Sequence, residues 1–300
     1  MPELLTQFAP LNAVLSVVER VALSESPVLI TGERGTGKTL LARAIHSASR
    51  RPGPLVEIDA SALPAELLDV ELFGFEEDGS PRNPGALEHA GQGTVLIDEI
   101  AAMGHTSQTK LLNAMTRAHL PAADGGRIAI AARIVATTAH PLGAYSREGR
   151  FSEPLYERLR NAHIELPPLR ERRTDIPLLA QQFAGQFGGL RAPRLSSEAI
   201  AVLEEYSWPG NVRELRTVIE RAVTSANGAE VRPRQLAAAL APTATTAPLK
   251  LADLERRHIE AVLKQTNWHR GKAAMLLGIS NKTLYRKIRE YGFTPPATSE

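Results

Sequence analysis

The sequence predicts an α/β fold: a parallel sheet bearing a phosphate-binding P-loop, a helical lid subdomain, and then a small all-α helix-turn-helix domain. Three observations predict it. Short β-type runs at Val28–Thr31, Leu55–Ile58, Thr94–Ile97 and Arg133–Thr137 alternate with helix-period stretches, the pattern of a parallel sheet covered on both faces. The segment Gly32-Glu33-Arg34-Gly35-Thr36-Gly37-Lys38-Thr39 fits G-x-x-x-x-G-K-[ST] at every fixed position, between strand-like Val28–Ile30 and helix-like Leu40–Ile45. From about residue 170 onward the periodicity is helical only.

The elements follow in order. Leu11 to Val21 reads as an amphipathic helix, and the roughly twenty-five residues before Val28 leave no space for a receiver or ligand-binding domain. Control is therefore expected from a partner, from expression level or from nucleotide. Backbone N–H groups of Gly32, Glu33, Arg34, Gly35, Thr36 and Gly37 are expected to cradle phosphates. Lys38 is expected to reach the β- and γ-phosphates of ATP, and Thr39 to place its hydroxyl on Mg²⁺. Val95-Leu96-Ile97-Asp98-Glu99 is an apolar strand ending in two acids. Beside the loop, Asp98 is expected on Mg²⁺, and Glu99 as the general base that polarises the attacking water. Alone, such a pair is a solvated strand end; the loop some sixty residues upstream gives it chemistry.

Thr174-Asp175 and Ser196-Ser197-Glu198 read as helix starts in the lid. Ala241 to Pro248 holds two prolines and no charge, the composition of a linker. The expected domains are 1–170 for the α/β nucleotide-binding part, 171–240 for the lid, 241–250 for the linker and 251–300 for the DNA-binding end. In that end Leu251, Leu254, Ile259, Val262 and Leu263 fit an amphipathic helix. Gly271–Leu277 reads as a short helix, Gly278-Ile279-Ser280 as a turn with a serine N-cap, and Asn281–Tyr291 as a basic second helix. Leu284 and Ile288 are expected inside. Asn281, Lys282, Thr283, Arg286 and Lys287 are expected on the outer face, as types that grip phosphates and read base edges. A three-helix packing module with a solvated basic face is the competing reading.

Composition sets limits. The apolar share is 43% and the charged share 23%, ordinary for a globular protein. No apolar run is long enough for a membrane span, and the N-terminus shows no secretory signal. Cysteine is absent, which excludes disulfides and Cys-ligated zinc and agrees with a cytoplasmic protein. The net charge of +2 is unevenly spread: residues 250–292 hold ten Lys/Arg against four Asp/Glu, and residues 1–249 are net acidic. A basic tail on an acidic body is the electrostatic footprint of nucleic-acid binding.

Further stretches carry a family resemblance: Ala62–Leu68 with Glu71-Leu72-Phe73-Gly74, Gly93–Ile100, Leu166-Pro167-Pro168-Leu169-Arg170-Glu171-Arg172, and Trp208-Pro209-Gly210-Asn211-Val212-Arg213-Glu214-Leu215. With the phosphate loop, they make nearly the whole chain resemble the AAA+ domain of sigma-54-dependent enhancer-binding proteins, and its end resemble their Fis-type helix-turn-helix. The resemblance implies a homo-oligomer, from a dimer on an inverted-repeat DNA site to a ring, usually hexameric, that holds ATP between subunits and acts on RNA polymerase holoenzyme. It assigns Arg213 as the lid arginine that senses the γ-phosphate, Thr138 as part of the first sensor, and Arg158 as the arginine given to the neighbouring subunit's ATP. Without the resemblance, either arginine reads as a surface or interface salt bridge.

The chain also departs from the family. After Gly74 the G-A-F-T-G-A loop that touches the sigma factor is replaced by a shorter Phe75-Glu76-Glu77-Asp78-Gly79-Ser80-Pro81-Arg82-Asn83-Pro84. Ser152 stands in place of a second finger arginine, Ala139 in place of a sensor asparagine, and Asp59 in place of an asparagine that restrains the catalytic glutamate. Serine cannot offset transition-state charge as arginine does, and the alanine side chain offers no hydrogen bond. The expectation is good ATP binding with slow or unusually controlled hydrolysis. Arg150, two positions before Ser152, is a candidate substitute. Two readings follow: an ATP-dependent transcription regulator, or a nucleotide-gated DNA-binding regulator that remodels nothing. A replication loader of the same superfamily fits the Leu166–Arg172 and Trp208–Leu215 stretches poorly.

Overall fold

The structure is a computed structural model. It describes residues 18–240, apart from 19, 77–81, 122–125, 190–192 and 229, and a C-terminal set comprising 255, 258, 259, 262, 263, 266, 268–291 and 293. The expected linker 241–250 and most of the expected helix Leu11 to Val21 lie outside the described residues. The chain divides into two compact units, Met1–Leu240 and Ala241–Glu300.

Four expected strands form: β1 Val28–Thr31, β2 Leu55–Asp59, β3 Thr94–Asp98 and β6 Arg133–Thr138. A fifth, β7 His163–Glu165, adds to the free edge of β1. The sheet is parallel in the order β2-β3-β6-β1-β7. Its central strands are buried on both faces, so they read as continuous apolar runs rather than alternating ones. Leu29, Val95, Ile97, Ile134 and Ala136 face one core layer, shared with α2 Ala65–Phe73 and α4 His105–Arg117. Val28, Ile30, Leu96 and Val135 face the other, under α1 Lys38–Ser49. A separate antiparallel hairpin pairs β4 His119–Pro121 with β5 Arg127–Ala129. The remaining helices of this part are α3 Ala86–His89, α5 Leu142–Arg147 and α6 Glu153–Leu159.

The lid has its own core, built from α7 Asp175–Gly188, α8 Ser197–Glu205, α9 Asn211–Ala226 and α10 Pro233–Leu240. Ser196 caps α8 as its sequence signal predicts, with its hydroxyl accepting from the Ala199 N–H at 3.2 Å. Helix α7 begins at Asp175 as expected, but the Thr174 side chain makes no capping bond. Trp208 is fully buried at the turn before α9 and donates its indole N–H to the Leu203 carbonyl at 2.7 Å.

The C-terminal unit packs Leu284 of α12 Asn281–Tyr291 against Ala273 and Ala274 of α11 Arg270–Leu276, and against Ile259, Val262 and Leu263. Ser280 caps α12 at the Thr283 N–H, 3.1 Å. Helix, turn and second helix thus stand as expected. Among the described residues no helix is long and apolar enough to cross a membrane.

Trp208→Phe keeps an aromatic in the lid core but leaves the Leu203 carbonyl without its donor. We expect a loss of about 1–3 kcal/mol, measured as a shift of the urea midpoint at unchanged slope; an unshifted midpoint would contradict it.

Candidate nucleotide site and DNA-reading face

The phosphate loop, the acidic pair and the sensor segment follow β1, β3 and β6. In a parallel sheet those carboxyl ends open on one crevice. Arg34, Gly35, Gly37, Lys38, Thr39, Asp98, Glu99 and Arg213 line a single cleft of about 580 Å³ there. Helix α1 starts with no side-chain cap and no acid in its first turn, so its amide ends point into that cleft. The Lys38 ammonium is buried and donates to the Gly32 and Glu33 carbonyls at 2.9 and 3.2 Å. Burial pushes it below the ordinary lysine range, and Glu99 and Asp98 oppose the shift.

Asp98 accepts from the Thr39 hydroxyl at 3.2 Å and from the Thr137 hydroxyl. Asp98 and Thr39 are therefore adjacent, as a shared Mg²⁺ requires. Glu99 sits in left-handed backbone conformation, φ 52°. Its carboxylate lies 3.7 Å from the Lys38 ammonium and accepts from the Thr138 hydroxyl at 3.3 Å and the Ala139 N–H at 3.1 Å. The main chain at Ala139 thus supplies a donor that its side chain lacks. Asp59 lines the cleft but spends Oδ1 on the backbone and hydroxyl of Ser61.

The lid meets the loop through residues that motif reading left as variable positions. Asn211, fully buried at φ 54°, accepts from the Leu169 N–H at 2.7 Å and donates to Glu33 and to the Arg34 carbonyl, both at 3.0 Å. The Val212 N–H donates to the Gly35 carbonyl at 3.0 Å. Buried Arg172 donates to the Thr36 carbonyl at 2.7 Å. Arg170 grips Glu33 with two bonds, 2.6 and 2.9 Å. Any side chain at Gly35 would put its Cβ 2.3 Å from the Gly210 carbonyl oxygen, so only glycine allows this approach. The Glu33 carboxyl is held down at about 2, chiefly by Arg170 and then by Asn211. Arg170, Arg172 and Asn211 all lie in stretches noted in the sequence; their signal was the family resemblance of Leu166–Arg172 and Trp208–Leu215, not a charge pattern. Arg43 and Arg216 also line the cleft, and Phe183 gives it an apolar wall.

Arg158 is placed elsewhere. It is half-buried, donates to the Met115 carbonyl at 2.7 Å, and its buried Nε finds no partner. Arg150 is exposed, stacked 3.6 Å from the Tyr145 ring centroid and paired with Glu148. Ser152 donates its N–H to Gln108 at 2.7 Å. Of the departing loop, 77–81 lies outside the described residues. Its base is closed by a Phe75–Asn83 bridge, and Arg82 donates to the Phe73 carbonyl and Glu88.

On α12, Lys282 and Arg286 are exposed. The Thr283 hydroxyl pairs with Ser280 at 2.8 Å. Asn281 opens the helix. Lys287 departs from the expected outer face. Its ammonium lies 2.9 Å from Glu255, 3.3 Å from the Tyr291 hydroxyl and 3.6 Å from Glu290, and its side chain is only 16% exposed. The reason is Glu255 on the preceding helical segment, which draws the amine across the core edge.

Comparison with known proteins agrees with this geometry. Residues 4–165 match the family described as "Sigma-54 interaction domain", 170–252 the "AAA+ ATPase lid domain", and 250–291 "Bacterial regulatory protein, Fis family". The chain belongs to the sigma-54-dependent AAA+ transcription regulators. Among its relatives within this family, the regulatory protein AtoC of Escherichia coli K12 is 38% identical, over 97% of this chain and 68% of its own. The response regulator PilR of Pseudomonas aeruginosa is 36% identical, over 96% and 69%. The crystal structure of NtrX from Brucella abortus in complex with ADP superposes with a TM-score of 0.74 at 32% identity, over 97% of this chain and 70% of its own; the complex with ATP gives 0.73 at 33%, over 97% and 69%. The chain thus spans about two thirds of the length of these family members. As in the family, a nucleotide-binding AAA+ ATPase part precedes a helix-turn-helix DNA-binding part.

The depressed Glu33 carboxyl fixes the sign of one pH effect. Its contribution to lid–loop attachment is complete above the ordinary value of 4.5 and is lost as pH falls through about 2. Urea midpoints for the unaltered chain and Glu33→Gln are expected to differ constantly above pH 5 and to converge below 4.5. A gap independent of pH down to 3 would contradict the assignment. Asn211→Ala leaves the Leu169 N–H buried and unpaired, for which we expect about 1–3 kcal/mol of destabilisation by the same measurement.

Proposed function

We infer that this chain binds ATP with Mg²⁺ in the cleft under its lid and uses binding or hydrolysis to control RNA polymerase at promoters whose DNA its C-terminal unit reads. One observation carries this: Lys38, Thr39, Asp98, Glu99 and Arg213 converge on one cleft whose loop is bonded to the lid. The NtrX complexes with ADP and ATP support the ligand. In this reading ATP phosphates lie along the α1 amides and Lys38, Mg²⁺ on Thr39 and Asp98, and Glu99 takes the proton of the attacking water. Arg213 senses the γ-phosphate from the lid. Arg158, anchored on Met115 within its own copy, serves a neighbouring subunit in a homo-oligomer. The AAA+ parts assemble into rings, and paired C-terminal units sit on an inverted repeat. The domain limits 1–170, 171–240, 241–250 and 251–300 and a cytoplasmic location belong to the same proposal.

A second reading, regulation of DNA binding by nucleotide without sigma-54 remodelling, is favoured by the loop after Gly74. Its apolar signature is absent, and its base is pinned by the Phe75–Asn83 bridge and by Arg82. Open-complex formation with sigma-54 polymerase, with and without ATP, separates the two.

Lys38→Ala is expected to abolish ATP binding, measured by equilibrium dialysis with Mg²⁺, and to leave the DNA affinity measured without nucleotide unchanged. Retained ATP binding would contradict the site. Turnover by the unaltered chain is expected to be slow because Ser152 carries no charge. Ser152→Arg should raise kcat ~10-fold or more, given the ~10³–10⁵ that such an arginine contributes in other NTPases. An unchanged rate at high protein concentration would contradict this explanation.

A further inference from the structure

Which side chains of α12 face a partner is decided by their place on the helix. Lys282, Tyr285, Arg286 and Arg289 are exposed. Their spacing of i, i+3, i+4 and i+7 puts them on one face. Leu284 and Ile288 lie on the core side, and Lys287 is tied to Glu255 and Tyr291. The outward stripe is therefore three cations and one large aromatic.

Tyr285 is 54% exposed, yet its hydroxyl is not free to choose a direction. Arg270, the first residue of α11, donates from Nη1 to the phenolic oxygen at 2.7 Å, and its guanidinium carbon lies 4.8 Å from the ring centroid. A guanidinium can only donate, so the tyrosine oxygen accepts here and its own proton points away. The hydroxyl is thus preset as an outward donor, and what it meets must be an acceptor. A duplex offers guanine O6 and N7, adenine N7 and thymine O4 to a helix in its major groove, and the thymine methyl suits the bare ring. Phosphate oxygens also accept, but the cations at the ends of the stripe suit them better, and a backbone contact gains little from a fixed hydroxyl.

The geometry points to Tyr285 as a base-reading residue, with Arg270 as the positioning residue that orients its hydroxyl. This rests on the DNA-binding reading above. Lys282 and Arg289, at the two ends of the stripe, supply grip that is independent of sequence.

The test uses the full chain. Duplexes are enriched from a random-sequence library, and Kd is measured for one enriched duplex and one random 30-base-pair duplex at several salt concentrations. Tyr285→Phe keeps the ring and removes only the hydroxyl. It is expected to weaken binding to the enriched duplex ~10-fold, with no change on the random duplex and no change in salt slope. Arg270→Ala should lose a similar share of discrimination, and should lose no more discrimination when added to Tyr285→Phe, as two residues acting through one contact must. Thermal midpoints equal to that of the unaltered chain show that the fold is kept; should Arg270→Ala lower its midpoint, Tyr285→Phe alone decides. Equal loss on both duplexes, or none on either, would overturn the assignment. If the unaltered chain enriches no duplex at all, the DNA-binding reading falls, and the assignment with it.

Discussion

The nucleotide cleft depends on one buried amide. Asn211 begins the long lid helix in a left-handed conformation that costs most side chains ~1–2 kcal/mol and that asparagine tolerates. From there its side chain bonds to Leu169, Glu33 and Arg34, which joins the lid core, the segment leaving β7 and the phosphate loop at one point. Val212 and Arg172 add bonds to Gly35 and Thr36, so four consecutive loop residues are held by the lid. Buried polar groups are costly unless each finds its partner, and satisfied networks of this kind fix a single arrangement. The protein's own bonds therefore shape the loop, and a lid movement is felt at the loop directly.

The same economy shows at Glu99. The acid stands in left-handed backbone conformation beside Lys38 and is held by the Thr138 hydroxyl and the Ala139 amide. Asp59 takes no part in holding it, being occupied by Ser61. The bonds on Glu99 thus come from the segment after β6 rather than from the strand-end residue of β2. In the proposed ATP-bound state, a γ-phosphate competing for Lys38 and Thr138 would loosen both contacts on Glu99 together.

Much of this was legible in the sequence because the signals were local. The central strands appear as apolar runs, the phosphate loop as a fixed spacing, and the Ser196 and Ser280 caps as single residues whose bonds form as expected. Three strands escaped: β7, three residues long with one buried position, and the β4–β5 pair, a hairpin that lies apart from the main sheet. Such short pieces carry no period, and tertiary pairing creates them. The lid–loop bonds escaped for a related reason. Glu33 is a free position in the motif, and its partners Arg170 and Asn211 are more than 130 residues away. Lys287 has the composition of a DNA contact, and only the fold shows that Glu255 claims it.

Amide hydrogen exchange of the nucleotide-free chain tests the central claim most directly. If the lid is fastened to the phosphate loop before nucleotide binds, the Val212 amide, bonded to the Gly35 carbonyl, exchanges slowly and in concert with the amides of Leu169 and Leu215. A Val212 amide that exchanges at the rate of an open loop while Leu215 stays protected would show that lid and loop part freely, and the account of a preformed cleft would be wrong.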